Sequence, residues 1–404
     1  MVFFALVYVV ESIGQTGGLI AQPLNYFLKQ QYGWTPLQVT AALAVLNLPW
    51  IIKPLYGLVS DFVPLFGYRR KSYLVLANAA GALAYLWVAS LNAPAAIVSA
   101  LLLSAYAMAV SSTLSGAVLV ENGQRLGLSD RFVNQEWLWY SIAAMASALL
   151  GGWMVQHLTP TGAFHSAALT VAVAPLLAVF GSIALIREER SRPDLATLKA
   201  TFHGLLAAFK RRDLWIVALF LFLYWFNPGL GTPLYYYMTD TLQFSQGFIG
   251  VLGAVSSAGS IAGALLYRWV LRGFGSKALL YLSIGLGAAA TLSFLGLHDQ
   301  ASAIGANFAA GLASMVSLVA SLTLAADFCP KRSEGFTFAA LMSVTNLAMS
   351  VGDNAGSFLF EHAFSNRLTP LILVSAACTL VAAPFVPILR LGGKRPGEAL
   401  AAAE

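Results

Sequence analysis

The chain of 404 residues is 58% hydrophobic and only 10% charged, with a mean hydropathy of +0.74. A soluble domain carries about 25% charged residues, so this composition predicts an all-α integral membrane protein with room for about a dozen spans. The net charge of +6 does not indicate nucleic-acid binding, because the basic residues lie between apolar segments and not in basic tails.

Twelve apolar segments are long enough to predict membrane-spanning helices. They lie near residues 2–28, 36–60, 72–91, 95–121, 133–157, 164–186, 213–239, 245–270, 277–297, 301–327, 335–361 and 369–390. The N-terminus lacks the basic segment and cleavage site of a signal peptide, so we expect no cleavable signal. Cys329 in a predicted loop and Cys378 in the last span predict no disulfide.

The positions of the lysines and arginines predict the orientation of these spans. Placing both termini in the cytoplasm puts every Lys and Arg on that side except Lys29, Arg367 and Lys53, and Lys53 lies within a span. Short loops rich in Ala and Gly favour a bacterial inner membrane. The chain is expected to be a monomer.

An internal repeat predicts two six-helix halves in the same orientation. Gly57-x-x-x-Asp61 recurs as Gly263-x-x-x-Tyr267, and Pro23-Leu-Asn-Tyr-Phe matches Pro233-Leu-Tyr-Tyr-Tyr. At the offset of the first pair, Lys71, Glu121 and Arg125 correspond to Lys277, Asp327 and Lys331. The predicted halves are residues 1–187 and 213–391. Between them we expect a linker at 188–212, forming an amphipathic helix or a flexible solvated segment, and after them a cytoplasmic tail at 392–404.

The segment from Pro49 to Tyr73, PWIIKPLYGLVSDFVPLFGYRRKSY, resembles the signature of the folate–biopterin transporter family, a branch of the major facilitator superfamily. The wider superfamily shares Gly-x-x-x-Asp followed by Gly-Arg-Arg. Here two extra residues separate Asp61 from Gly67, and Tyr68 precedes the arginines, which is the more restricted pattern. The resemblance implies the twelve-helix major facilitator fold, a solute site between the halves, and secondary transport of a folate- or pterin-like molecule by alternating access.

The acidic and basic residues of this segment predict a cytoplasmic gate. The resemblance implies that Asp61 pairs with Arg69 and Arg70 and with the helix that begins near Glu334, in a motif shaped by Gly57 and Gly67. A static brace that also fixes topology is the alternative. Two acid–base pairs four residues apart predict a second gate layer or, alternatively, solvated helix-end pairs; they are Glu121 with Arg125 and Asp327 with Lys331.

Three carboxylates inside predicted spans are candidates for proton coupling, because a carboxylate in an apolar cavity can bind and release a proton. Asp353 is favoured, and Glu11 and Glu136 are the others. Each has a hydrogen-bonded structural role as its alternative.

Polar and aromatic residues in the spans are candidates for binding the solute. Lys53 would attract an anionic group; alternatively it neutralises Glu11 or Glu136, or extends to the cytoplasm. Aromatic residues beside the Pro228–Gly229 bend would stack on a flat heterocycle, or else they belong to an interfacial belt. Besides Lys53, the substrate candidates are Gln15, Asn25, Tyr224, Trp225, Asn227 and Asn346.

Other functions are less compatible with the sequence. No His-Glu-x-x-His motif and no phosphate-binding loop occurs, so we predict no metal, no cofactor, no enzyme activity and no ATP-driven pumping. A membrane receptor is disfavoured by the repeat and by the polar residues inside spans. Among transporters, the alternatives are a proton-coupled importer of a siderophore or cell-wall fragment, and a drug exporter.

Overall fold

The computed structural model describes residues 2–126, 129–190, 211–329 and 334–389. Over these residues the chain is helical, and its only extended pairing is an isolated bridge between Leu65 and Tyr68, which confirms the predicted all-α class. The chain divides into two compact units: Met1–Trp34 with Val45–Gly204, and Thr35–Ala44 with Leu205–Glu404. The predicted domain boundaries stay predictions. Most of the predicted linker helix, at 191–210, and the tail lie outside the described residues.

The described residues of the first unit form seven whole helices and the second part of an eighth. The whole helices are α1 (Val2–Gly14), α2 (Ala21–Tyr32), α4 (Lys53–Phe62), α5 (Lys71–Val88), α6 (Pro94–Leu126), α7 (Ser129–His157) and α8 (Pro160–Leu185). The divided helix, α3 (Pro36–Ile51), contributes its first residues to the second unit and the rest to the first.

In the second unit, seven further helices lie within the part of the chain that the structure describes. They are α9 (Arg212–Trp225), α10 (Gly231–Tyr236), α11 (Gln246–Trp269), α12 (Ser276–Ser293), α13 (Gln300–Phe328), α14 (Glu334–Phe358) and α15 (Leu368–Val381). A π-helical turn continues α10 over Tyr237–Thr241 and α14 over Leu359–Ala363, and a 3-10 segment, Ala383–Ile388, follows α15.

Eight helical stretches of the described chain are long and apolar enough to cross a membrane. They are Pro36–Phe62, Pro94–Leu119, Glu136–His157, Pro160–Leu185, Gln246–Trp269, Ser276–Gly296, Gln300–Phe328 and Leu368–Ile388. The other four predicted spans correspond to α1 with α2, to α5, to α9 with α10, and to α14. Two of these four, α1 with α2 and α9 with α10, are interrupted by several non-helical residues.

The first predicted span is not the continuous helix that we expected over 2–28. Helix α1 ends at Gly14, and α2 begins at Ala21 after a tight turn in which the Gly18 N–H donates to the Gln15 carbonyl at 2.8 Å. A Cβ on Gly18 would lie 2.3 Å from the Ser12 carbonyl oxygen, so the turn requires glycine there. The second span is also interrupted, at Ile52, because Pro54 removes a backbone donor at the start of α4.

The start of α3 is bound to the end of α14 within the second unit. The Glu361 carboxylate accepts the Leu37 backbone N–H at 2.5 Å, so it satisfies one of the free donors at a helix start. The Asn354 amide lies 3.4 Å from the Thr40 carbonyl oxygen, and Thr40 is buried. These contacts bind the first residues of α3 to α14 and to its π-helical turn.

Candidate functional site

Arg70 is the centre of the predicted gate cluster in the first unit. Its guanidinium Nη2 lies 2.6 Å from Asp61 Oδ1 and 2.9 Å from Glu121 Oε1, and its Nη1 donates to the Ser60 hydroxyl. The arginine side chain is 8% exposed, whereas the two carboxylates are 40% and 49% exposed. One buried arginine therefore joins α4 to α6.

The loop before α5 is held by Glu188, which the sequence analysis did not single out. Its carboxylate accepts the backbone N–H groups of Arg69 at 2.8 Å, Arg70 at 3.1 Å and Lys71 at 2.8 Å. These donors open α5 and have no partner within the helix. Arg69 itself is exposed, and the loop turns through Gly67 at φ +85°.

The second unit contains a weaker equivalent of this cluster. Ser276 occupies the repeat position of Arg70, and its hydroxyl donates to Asp327 Oδ2 at 3.3 Å. A serine hydroxyl thus stands where the first unit has the Arg70 guanidinium as a donor to a carboxylate. Lys331 and the side chains of Arg125 and Glu334 lie outside the described residues, so the predicted Glu121–Arg125 and Asp327–Lys331 pairs stay predictions.

A buried charged cluster joins α1, α4 and α6 inside the first unit. The Ser112 hydroxyl donates to Glu11 Oε1 at 2.7 Å, and Lys53 Nζ donates to the same hydroxyl at 3.0 Å. Lys53 Nζ also lies 4.4 Å from the centre of the Trp50 ring, a cation–π distance. Glu11 Oε2 is buried and accepts no hydrogen bond from the described residues.

Glu136 on α7 is the second carboxylate of this cluster. It interacts electrostatically with Glu11 and Lys53, and the Tyr8 side chain lies beside it. The cluster therefore combines one lysine with two carboxylates. Gln15 donates to the Tyr140 hydroxyl, which binds the turn after α1 to α7.

Asn25, another substrate candidate, lies on α2 with its side chain half-buried. Its Oδ1 atom is buried and accepts no hydrogen bond within the described part of the chain.

Asp353 lies in the second unit beside the break between α9 and α10. The Gly229 N–H donates to the Gly352 carbonyl at 3.0 Å, and a Cβ on Gly229 would fall 1.9 Å from Asp353 Oδ1. The Asp353 side chain forms no hydrogen bond or ion pair with any described residue. The carboxylate thus occupies the space that a side chain at position 229 would fill.

The remaining candidates of the second unit surround this break. Asn227 donates to the Thr379 hydroxyl at 3.0 Å and accepts from Ser375, so it joins the break to α15. Asn346 lies half-buried on α14, seven residues before Asp353 and thus near the same helix face.

The aromatic candidates have structural partners. Tyr224 is 8% exposed and donates to Ser283 at 2.6 Å, and the Trp225 indole N–H donates to Ser321 at 2.8 Å. Tyr224 packs in the core of the second unit with Phe220 and Leu221. These contacts favour a packing role for Tyr224.

The residues that the sequence analysis missed are small or distant in the chain. Serines are common in membrane helices, so nothing in the pattern distinguishes Ser112 from its neighbours. Glu188 lies 119 residues after Arg69 and shares no motif with it. Only the rarity of acidic residues in this chain could have drawn attention to Glu188.

The fold is that of the major facilitator transporters. A mutant of the nucleoside transporter NupG aligns with a TM-score of 0.75 at 14% identity, covering 96% of this chain and 99% of that one. The D-xylose–proton symporter aligns with a TM-score of 0.74 at 14% identity, covering 98% of each chain. At such identities the likeness concerns the fold.

Residues 14–393 match the BT1 family, and the chain therefore belongs to this family of membrane transporters. It is 29% identical to a folate-biopterin transporter of Synechocystis, over 93% of this chain and 79% of that protein. It is 26% identical to a probable folate-biopterin transporter of Arabidopsis thaliana (94% and 80% covered) and 24% identical to a folate transporter of Plasmodium falciparum (94% and 87%). The protein is thus an integral membrane transporter of a small molecule and not an enzyme.

Proposed function

We propose that the protein is a secondary active transporter that carries a folate- or pterin-like solute by alternating access, coupled to proton movement. The observation that carries the coupling is the set of ionisable groups within apolar helices. Charged groups are costly in such surroundings and are retained where they act on ions or solutes. The names of the similar transporters support the solute class.

The charge balance of the buried cluster supports proton coupling. Lys53 compensates one carboxylate, Glu11, through their shared contact with Ser112. Glu136 then leaves one negative charge in excess, which a proton would neutralise. Asp353 is the separate coupling candidate of the second unit, and of the three carboxylates it is the one we favour, because its side chain has no protein partner among the described residues.

The solute contacts that we propose are four polar side chains of the predicted spans. Gln15, Asn25, Asn227 and Asn346 supply amide donors and acceptors suited to a pterin ring. Lys53 is already bonded to Ser112 and stacked on Trp50, which makes it a less available site for an anionic tail. We also propose a monomer in a bacterial inner membrane with both termini in the cytoplasm.

Uptake of labelled folate into proteoliposomes, with and without an inward proton gradient, tests this proposal. We expect gradient-dependent accumulation by the wild type. Asp353→Asn should lose the gradient dependence while keeping folate exchange at equal pH. Glu189→Gln is the matched control, since it removes an exposed negative charge outside the candidate sites.

Two outcomes would contradict separate parts of the proposal. Accumulation that persists in Asp353→Asn, Glu11→Gln and Glu136→Gln would exclude these carboxylates from coupling. Folded protein that takes up no folate would remove the solute assignment. A thermal-shift panel of pterins, siderophores and amphipathic drugs would then separate the remaining solute classes.

A further inference from the structure

The break between α9 and α10 has unused hydrogen-bond donors close to an unpaired carboxylate. Phe226 N–H still donates to the Phe222 carbonyl, and Gly229 N–H donates to the Gly352 carbonyl. The N–H groups of Asn227, Leu230 and Gly231 donate to none of the described residues. Asn227 and Leu230 are half-buried and Gly231 and Asp353 are exposed, so the donors and the carboxylate both border open space within the described structure.

The break packs directly on the backbone of α14. A Cβ on Gly352 would lie 2.3 Å from the Asn227 carbonyl oxygen, and one on Gly356 would lie 2.3 Å from the Gly229 carbonyl oxygen. Asp353 follows Gly352 in the chain, so its carboxylate emerges at this contact. The absence of a side chain at Gly229 is what lets Asp353 Oδ1 lie against the broken backbone.

We propose that Gly229 is a positioning residue that lets the carboxyl group of Asp353 control the geometry of the helix break. In this structure the Asp353 carboxyl group bonds to none of the described residues; on ionisation it accepts the free N–H groups of the break and holds the bend between α9 and α10. When protonated, it loses most of its attraction for these donors and releases the bend. This proposal rests on the proposed proton coupling: protonation of Asp353 would change the bend between α9 and α10.

The charged and titratable groups of the described elements around Asp353 lie at a distance or have other partners. Arg212, Asp213 and Asp240 are each at least about 15 Å along a helix from the contact at 1.5 Å per residue, and Asp327 lies six residues beyond Ser321, the partner of Trp225. Glu361 and His362 follow Asp353 by eight and nine residues, about 12 and 14 Å along α14 and its π-helical turn. Glu361 accepts the Leu37 N–H, and the His362 ring stacks on Phe358. The tyrosines near the break have partners: Tyr224 donates to Ser283 and Tyr235 to Gln246.

Gly231, next to the same break, provides a matched control for Gly229. Gly229 and Gly231 both lack a positive φ, so alanine fits the backbone at either position. A Cβ on Gly231 would meet nothing within 4 Å, whereas a Cβ on Gly229 would also lie 2.9 Å from the Asp353 Cα. The two alanine variants therefore differ mainly in whether they displace the carboxyl group.

Hydrogen–deuterium exchange of the segment 226–231, in detergent at neutral pH, tests the inference without requiring transport. We expect Asp353→Asn to exchange there about tenfold faster than the wild type, because its amide accepts hydrogen bonds less strongly than a carboxylate. Gly229→Ala should exchange like Asp353→Asn, and Gly231→Ala like the wild type. As the pH is lowered, the exchange rate of segment 226–231 in the wild type should approach the rate of Asp353→Asn measured at the same pH.

Folate counterflow and gradient-driven uptake test the same inference through transport. Gly229→Ala should keep counterflow and lose the gradient dependence, and Gly231→Ala should keep both. Adding Gly229→Ala to Asp353→Ala should change nothing further, since both act on one contact. Equal exchange in Gly229→Ala and the wild type would overturn the inference. An absence of folate uptake with the exchange pattern intact would overturn only the proposed solute.

Discussion

Glu188 shows how one side chain can organise a loop that lies far from it in the sequence. Its carboxylate accepts three consecutive backbone N–H groups, at Arg69, Arg70 and Lys71. Lys71 strengthens the same junction by donating to the carbonyls of Ile183 and Ile186 at the end of α8. The predicted gate motif is thus fixed by its partners as well as by its own residues.

Replacing Glu188 with alanine should destabilise the protein by about 2 kcal/mol, because three donors at a helix start lose a charged acceptor. The measurement is the unfolding midpoint of the purified protein in detergent. Glu189→Ala is the control and should leave the midpoint unchanged, since Glu189 is exposed. Equal midpoints for the two variants would show that the carboxylate of Glu188 does not stabilise the loop.

At the scale of elements, the two halves share an interruption of their first span. The breaks at Gln15–Ile20 and Phe226–Leu230 lie just before the matching Pro23 and Pro233 segments of the repeat. The first break is made by glycines and the second by Asn227, Pro228 and Gly229. Interruptions at matching positions of the repeat therefore arise from different local chemistry.

The glycine turn after α1 can be tested with neighbouring variants. Gly18→Ala should destabilise the protein by about 2 kcal/mol, because its Cβ would meet the carbonyl oxygens of Ser12 and Ile13. Gly17→Ala has open space and should be nearly neutral. Thermal unfolding in detergent measures both, and similar losses in the two variants would contradict the close contact.

The sequence predicted the spans and the break at Pro228–Gly229, because apolar length and proline act locally. It did not predict the break after Gly14, because glycine is common in membrane helices for packing and interrupts few of them. The Asp61–Arg70 contact followed from a motif. The contacts of Ser112 and Glu188 did not, because they join residues that only the tertiary fold brings together.

At the scale of the whole molecule, the distribution of basic residues is asymmetric. Nearly all lysines and arginines fall in alternate loops, which gives every span a predicted direction. Lys29 and Arg367 are the exceptions outside the spans. The loop between α14 and α15, which contains Arg367, is thus predicted to face away from the cytoplasm.

Reporter fusions in a bacterial host test this orientation. Green fluorescent protein at the C-terminus should fluoresce, and alkaline phosphatase there should be inactive, because the C-terminus is expected in the cytoplasm. Alkaline phosphatase fused after Arg367 should be active. An active phosphatase at the C-terminus would reverse the predicted topology.

The contact between Glu188 and the loop before α5 has a consequence for the order of biogenesis. Arg69, Arg70 and Lys71 leave the ribosome well before Glu188, which lies 117 residues after Lys71. During the insertion of α5 to α8 their charges can therefore act on the loop alone, and we predict that they retain it in the cytoplasm. Once Glu188 has been synthesised, it binds the same loop, so a signal that first directs insertion becomes part of the finished structure.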